Sequence, residues 1–210
     1  MKEHAFQTSR TARYFTLGSL ADAAELWFVC HGYGHLAARF LERFRPVESD
    51  RRCIVAPEGL SRFYLTDKPG ERRVGASWMT REDRLHEIDD YVRYLDALYA
   101  TVALRTARVT ALGFSQGTAT VFRWLALGSA RIDRVIVWGG EVPPDLDLAA
   151  AGERLKATQL TFVYGTRDEF FTPKIVAATE SRLKAHDIRY ELIAFDGGHE
   201  IHEPTLRSLI

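Results

Sequence analysis

The stretch Val109–Leu127, VTALGFSQGTATVFRWLAL, decides the fold. Its first six residues form a short apolar run that predicts a strand over Val109–Phe114. Its last ten, Thr118–Leu127, are almost wholly apolar and predict a helix packed centrally. Between them, Gly113-Phe114-Ser115-Gln116-Gly117 holds a serine in a sharp strand-to-helix turn, where its hydroxyl would project over the carboxyl edge of a sheet. The glycines two positions to either side let backbone segments approach closely there.

The same form recurs outward along the chain. Glu25–Cys30, Cys53–Ala56, Arg134–Trp138, Leu160–Tyr164 and Tyr190–Phe195 are short apolar runs that suit strands buried on both faces, and Arg13–Leu17 alternates as an edge strand would. Leu85, Ile88, Val92, Leu95, Tyr99 and Val102 recur at three- and four-residue steps, which predicts a helix over about Asp83 to Val102 with Asp89, Arg93 and Asp96 turned to solvent. Thr80 and Asp83 read as a capping-box-like start, and Thr172-Pro173 as the opening of a further helix. Alternating βα units imply right-handed crossovers. The fold class is therefore α/β, with a mostly parallel central sheet and helices on both faces. The soft connection Pro143–Gly152 is short, and Glu141–Thr158 has room for a minimal lid at most.

The 210 residues suit one domain spanning 1–210. Lys+Arg 28 against Asp+Glu 28 leaves no basic excess, which argues against nucleic acid or an anionic membrane surface as partner. No apolar run approaches the roughly 18 residues of a membrane span, and Met1–Gln7 has no apolar core of a secretory signal. Cys30 and Cys53 sit inside apolar runs and read as buried free thiols. A soluble, cytoplasmic protein without integral membrane association is the expectation.

Ser115 needs a base, and the base an orienter. Asp168 follows the run LTFVY and His199 follows YELIAF, so all three fall in turns after strands, in the order Ser…Asp…His. Open α/β sheets carry their sites along that edge. Cys30-His31-Gly32-Tyr33-Gly34 follows another strand, and its glycines would let the backbone N–H groups of Tyr33 and Gln116 converge on a developing oxyanion. Donors of this kind contribute about 3–4 kcal/mol each in acyl transfer. His31 reads as an anchor of that loop. Glu169 is an alternative orienter, and Arg81 and Arg167 read as solvated surface charges.

Taken together, HGYG at 31–34, GFSQG at 113–117, GTRDEF at 165–170 and DGGHEI at 196–201 resemble the phospholipase/carboxylesterase family of α/β-hydrolases, which includes acyl-protein thioesterases. The resemblance spans about Trp27 to His202. It implies an α/β-hydrolase fold, Ser115 as nucleophile, His199 as base, Asp168 as orienter, and Tyr33 and Gln116 as oxyanion donors. It also implies a small-molecule ester or thioester substrate and no cofactor. Trp78-Met79 falls near the tryptophan–aromatic pair of such enzymes, although Met79 departs from the aromatic. Tyr33, Trp78, Met79, Phe170 and Phe171 are candidates for lining an acyl pocket.

Three other readings compete. Gly32-Tyr33-Gly34-His35-Leu36-Ala37 fits a dinucleotide fingerprint, with Glu58 ending the next strand, but an NAD(P)-dependent oxidoreductase would leave Ser115, Asp168 and His199 unexplained. A metal site is disfavoured: His199 and His202 are three apart beside two glycines, where a zincin needs four on a helix. The third is a hydrolase fold retained only as a non-catalytic ligand-binding protein.

Overall fold

The computed structural model describes residues 1–21, 23–66, 70, 72–103 and 107–210. Seven strands form one sheet: β1 (Tyr14–Leu17), β2 (Glu25–Cys30), β3 (Arg52–Pro57), β6 (Arg108–Phe114), β7 (Arg134–Trp138), β8 (Gln159–Gly165) and β9 (Glu191–Phe195). Their spatial order is β1-β3-β2-β6-β7-β8-β9, with β1 antiparallel to β3 and every other pairing parallel. Two further strands, β4 (Ser61–Tyr64) and β5 (Val74–Ser77), pair antiparallel outside this sheet. The helices are α1 (Ala37–Leu41, followed by a 3-10 turn over Glu42–Val47), α2 (Arg84–Val102), α3 (Gln116–Leu127), α4 (Gly152–Ala157), α5 (Pro173–Ala185) and α6 (Glu203–Ser208).

Period-two alternation sends the strand side chains to two separate cores. Leu26 and Phe28 of β2, Val109 and Ala111 of β6, and Val135 and Val137 of β7 meet α2, α3, α4 and α5 on one face. Trp27, Val29, Leu112, Phe114, Ile136 and Trp138 meet α1, the 3-10 turn and α6 on the other. Continuous apolar runs are what such two-sided burial requires, and the mostly parallel sheet with helices on both faces is as expected.

Three details of the helices differ from their sequence patterns. Leu85 is exposed, and the buried stripe of α2 is Ile88, Tyr91, Val92, Leu95, Leu98 and Val102, because the first turn of α2 overhangs the core. Asp96 does not point to solvent. It accepts hydrogen bonds from Trp124 Nε1 (2.8 Å), the Ser129 N–H (2.7 Å) and the Ala130 N–H (3.2 Å), capping the loop after α3. The capping box does not form either. Asp83 stands in the left-handed region at φ 48°, and Thr80 bonds instead to Glu87, whose carboxylate accepts its N–H at 2.5 Å.

Cys30 and Cys53 are free and buried. Cys53 pairs in register with Leu26, four residues from Cys30 along β2, so with the spacing between strands the two are about 14 Å apart, beyond disulfide reach. Among the described residues, no helix is long and apolar enough to cross a membrane.

Candidate active site

Parallel strands end on one edge, so β2, β6, β7, β8 and β9 deliver their following loops to the same side of the sheet. Ser115 leaves β6 there in a strained conformation, φ 54° and ψ −117°, in a region that side chains other than glycine rarely occupy. Its N–H donates to Trp138 O (2.9 Å) on β7, while its own carbonyl accepts from the Thr118 N–H and hydroxyl. The flanking glycines are sterically required. A Cβ at Gly117 would stand 2.1 Å from Cys30 O, and one at Gly113 2.3 Å from Gly117 O. That contact brings the start of α3 against the loop after β2.

Asp168 and His199 come together from the ends of β8 and β9. Asp168 Oδ2 accepts a hydrogen bond from His199 Nδ1 at 2.7 Å, and its Oδ1 accepts the N–H groups of Phe170 (2.8 Å) and Phe171 (2.9 Å). Only 1% of the Asp168 side chain is exposed, against 19% for His199. The imidazole lies between the rings of Phe114 (4.8 Å) and Phe170 (4.9 Å). Trp138 Nε1 donates to Glu200 O at 2.7 Å and so ties the histidine's loop to β7. With Nδ1 engaged by the carboxylate, Nε2 is the nitrogen left free to exchange a proton.

The loop after β2 is held from beneath. His31 is fully buried; its Nδ1–H donates to Gly32 O (2.8 Å), and Nε2 accepts the Gly59 N–H (3.0 Å). Burial pushes this imidazole down to about 4, so it is neutral around pH 7 and suited to hold one donor and one acceptor at once. Trp78 is buried behind the same loop, where its Nε1 donates to His31 O at 2.8 Å. The Gln116 side chain accepts the Trp78 N–H at 3.1 Å and donates to Met79 O at 2.7 Å, locking the start of α3 to Ser77–Met79. Among the described residues, no turn or loop carbonyl takes the N–H of Tyr33 or of Gln116.

Two cavities flank the turn. One, about 240 Å³, is lined by Ser115, Thr118, Arg123, Gly140, Phe170 and Phe171, among others. The second, about 340 Å³, is lined by His199, Phe114, His35, Arg39, Arg43 and Arg73, among others. Of the five pocket candidates, Phe170 and Phe171 line the first cavity, while Trp78 and Met79 line neither. Trp78 stacks on His31, and Met79 sits half-buried against Arg123, with Sδ and Nη1 3.4 Å apart. The Tyr33 ring is exposed and stacks on Phe63 of β4. Glu169 is exposed, and Arg167 pairs with Asp196 on the surface.

The sequence patterns give no hint of the β4–β5 hairpin, whose Ala76 O accepts the Gly34 N–H at 2.9 Å and so fixes the oxyanion-side loop. Gly139 is the other position missed. At φ +60°, it leaves room for the histidine, since a Cβ there would stand 3.0 Å from His199 Cε1. Glu58, the acid of the dinucleotide reading, is already occupied: its carboxylate accepts from Arg13 (2.6 Å), Arg62 (2.7 Å) and the Ala37 N–H (3.2 Å).

Comparisons with known proteins agree with this architecture. Acyl-protein thioesterase 2 of Zea mays superposes at TM-score 0.77 with 15% identity, over 95% of this chain and 96% of that one. A carboxylesterase from Mesorhizobium loti superposes at TM-score 0.72 with 19% identity, over 94% of this chain and 92% of that one. These likenesses bear out the α/β-hydrolase fold. No curated protein matches the chain by sequence. The family profile for dienelactone hydrolases matches residues 22–204, nearly the whole chain, and the expected α/β-hydrolase of carboxylesterase type is thereby placed: the chain belongs to the dienelactone hydrolase family.

Proposed function

We propose that the chain is a serine hydrolase of small carboxylic esters or thioesters, working as a single cytoplasmic domain through an acyl-enzyme. The observation that carries this reading is the 2.7 Å Asp168–His199 hydrogen bond on the sheet edge where Ser115 stands at φ 54°. Ser115 Oγ attacks the carbonyl carbon while His199 Nε2 takes its proton. The oxyanion gathers the Tyr33 and Gln116 N–H groups, and the imidazolium then hands its proton to the departing alcohol or thiol. Water, deprotonated by His199, attacks the acyl-serine, releases the acid and restores Ser115. Asp168 holds the imidazole with its proton on Nδ1 and stabilises the charged form. The cavity lined by Ser115, Phe170 and Phe171 receives the acyl group, and its modest volume of about 240 Å³ favours short acyl chains.

Ser115→Ala tests the assignment. The expected result with p-nitrophenyl acetate is a fall in kcat of about 10⁴-fold or more at unchanged melting temperature, together with loss of labelling by a fluorophosphonate probe. Undiminished turnover, or a label on a different residue, would overturn it.

A further inference from the structure

We infer that Arg182, which lies outside the site, sets the length of acyl chain the protein accepts by clamping one wall of the Ser115-lined cavity. The inference rests on the proposed hydrolase reading and names the residue behind its acyl selectivity. Pro143 and Pro144, in the loop after β7, form part of that wall. Neither proline carries an N–H, so the loop is short of donors for its own carbonyls. Within it, the Leu146 N–H donates to Pro143 O at 3.0 Å.

Arg182 supplies the missing donors. Its Nη1 donates to Val142 O (2.9 Å) and Pro143 O (3.2 Å). Its Nη2 donates to Pro143 O (3.2 Å), Pro144 O (3.4 Å) and Leu146 O (3.3 Å). Among the described residues it pairs with no carboxylate, so the whole guanidinium fork serves this one loop. Arg182 stands about two turns beyond Ile175, which lines the cavity, so α5 presents both on one face.

The same loop is held at its side chains. Val142 and Leu146 are buried in the core beneath it. Asp145 accepts hydrogen bonds from Arg84 (2.7 Å) and Arg123 (2.8 Å). The connection Pro143–Gly152 reads as soft in sequence, yet its opening residues are fixed through backbone and side chain alike. A wall fixed in this way does not swing back for a longer chain, and the cavity keeps its volume of about 240 Å³. Arg182 itself does not line the cavity. Replacing it therefore changes how the wall moves and leaves the lining atoms in place, which makes Arg182 a positioning residue.

The test uses p-nitrophenyl acetate, butyrate and octanoate, which share a leaving group and differ only in acyl length. An apolar pocket discriminates by about tenfold or more for each methylene it admits or refuses. The octanoate-to-acetate ratio of kcat/KM is accordingly expected to rise at least about tenfold in Arg182→Met, chiefly through a lower KM for the octanoate. Arg182→Lys keeps a cation but loses the fork, and the ratio should rise less, about threefold. Should Arg182→Met fail to fold, Arg182→Lys and Pro144→Gly carry the test, the glycine freeing the loop backbone for a rise of about threefold as well. Leu17→Ala, which weakens the core under the edge strand β1, lowers the melting temperature and leaves the ratio unchanged. Ratios unchanged or lowered in the variants that fold, with acetate still cleaved, overturn the clamp and leave the hydrolase reading intact. Calorimetric binding of octanamide to the Ser115→Ala protein covers the case of a wild-type protein that cleaves no ester. Binding about threefold tighter or more when Arg182→Met is added supports the clamp. Binding that the change leaves alone, or that neither protein shows, overturns it.

Discussion

Replacing Gly139 by alanine tests whether the site depends on a residue that carries no chemistry. Gly139 follows β7 at φ +60°, and its N–H is fixed by Val163 O at 2.9 Å, so the backbone has little freedom to turn away. Two costs follow. Alanine in a left-handed conformation loses about 1 kcal/mol. Its Cβ would also stand 3.0 Å from His199 Cε1, 3.1 Å from Nδ1 and 3.2 Å from Asp168 Oδ2. Comfortable carbon contacts begin at about 3.5 Å, so the imidazole must retreat by about 0.5 Å. A displacement of 1 Å can cost about 10² in rate, which makes about tenfold in kcat/KM the expected loss for half that distance. The melting temperature should fall by about 2–8 °C for about 1–2 kcal/mol. Gly152→Ala, where a Cβ meets nothing within 4 Å, is the matched control. The measurements are p-nitrophenyl acetate hydrolysis at 25 °C and a thermal melt of each variant. A Gly139→Ala protein with wild-type kcat/KM and melting temperature would refute the reasoning, since it would mean that the loop does not press on the histidine.

Two further outcomes are expected. Asp168→Asn keeps an oxygen to accept the Phe170 and Phe171 N–H groups but turns an amide N–H toward His199 Nδ1; the imidazole then carries its proton on the wrong nitrogen, and kcat should fall about 10⁴-fold with the fold retained. A loss smaller than tenfold would remove Asp168 from the orienting role. Stability should also decline on acidification in two windows. Buried His31 stays neutral down to about 4, whereas in the unfolded chain it takes up a proton near pH 6.5. The unfolded state therefore binds more protons between those values, and about 3 kcal/mol is lost as pH falls through that window. His35, lowered mainly by burial, acts in the same sense, and the exposed His86–Asp83 pair opposes only weakly. Burial raises the Asp145 carboxyl, but hydrogen bonds from Arg84 and Arg123 outweigh it and hold it at about 2, so its contribution is present above about pH 4 and lost toward pH 2. Denaturant midpoints unchanged from pH 6.5 to 4.5 would contradict the neutral, buried His31.

The strands of the large sheet were legible because each is buried on both faces and therefore reads as an unbroken apolar run. The β4–β5 hairpin was not, since its strands are only four residues long, β4 buries none of its residues fully, and the backbone that fixes it belongs to Gly34 and His35, far back in the chain. Asp96 misled for a related reason. On a helical wheel it faces outward, yet Trp124, Ser129 and Ala130 come to it from the other side of a loop. Leu85 follows the apolar period, but the period says nothing about where the underlying core ends.

By itself the sequence determined the α/β order of elements and put Ser115, Asp168 and His199 in turns after strands, because turn chemistry and strand periodicity are local. It also carried the likeness to α/β-hydrolases. Only the tertiary structure decided that Asp168 and His199 are hydrogen-bonded, that Gly139 leaves room for the imidazole, and that Arg39, Arg43 and Arg73 share one cavity with His199. Those facts depend on which strands are neighbours and on how closely two backbones approach, and long-range packing alone sets both.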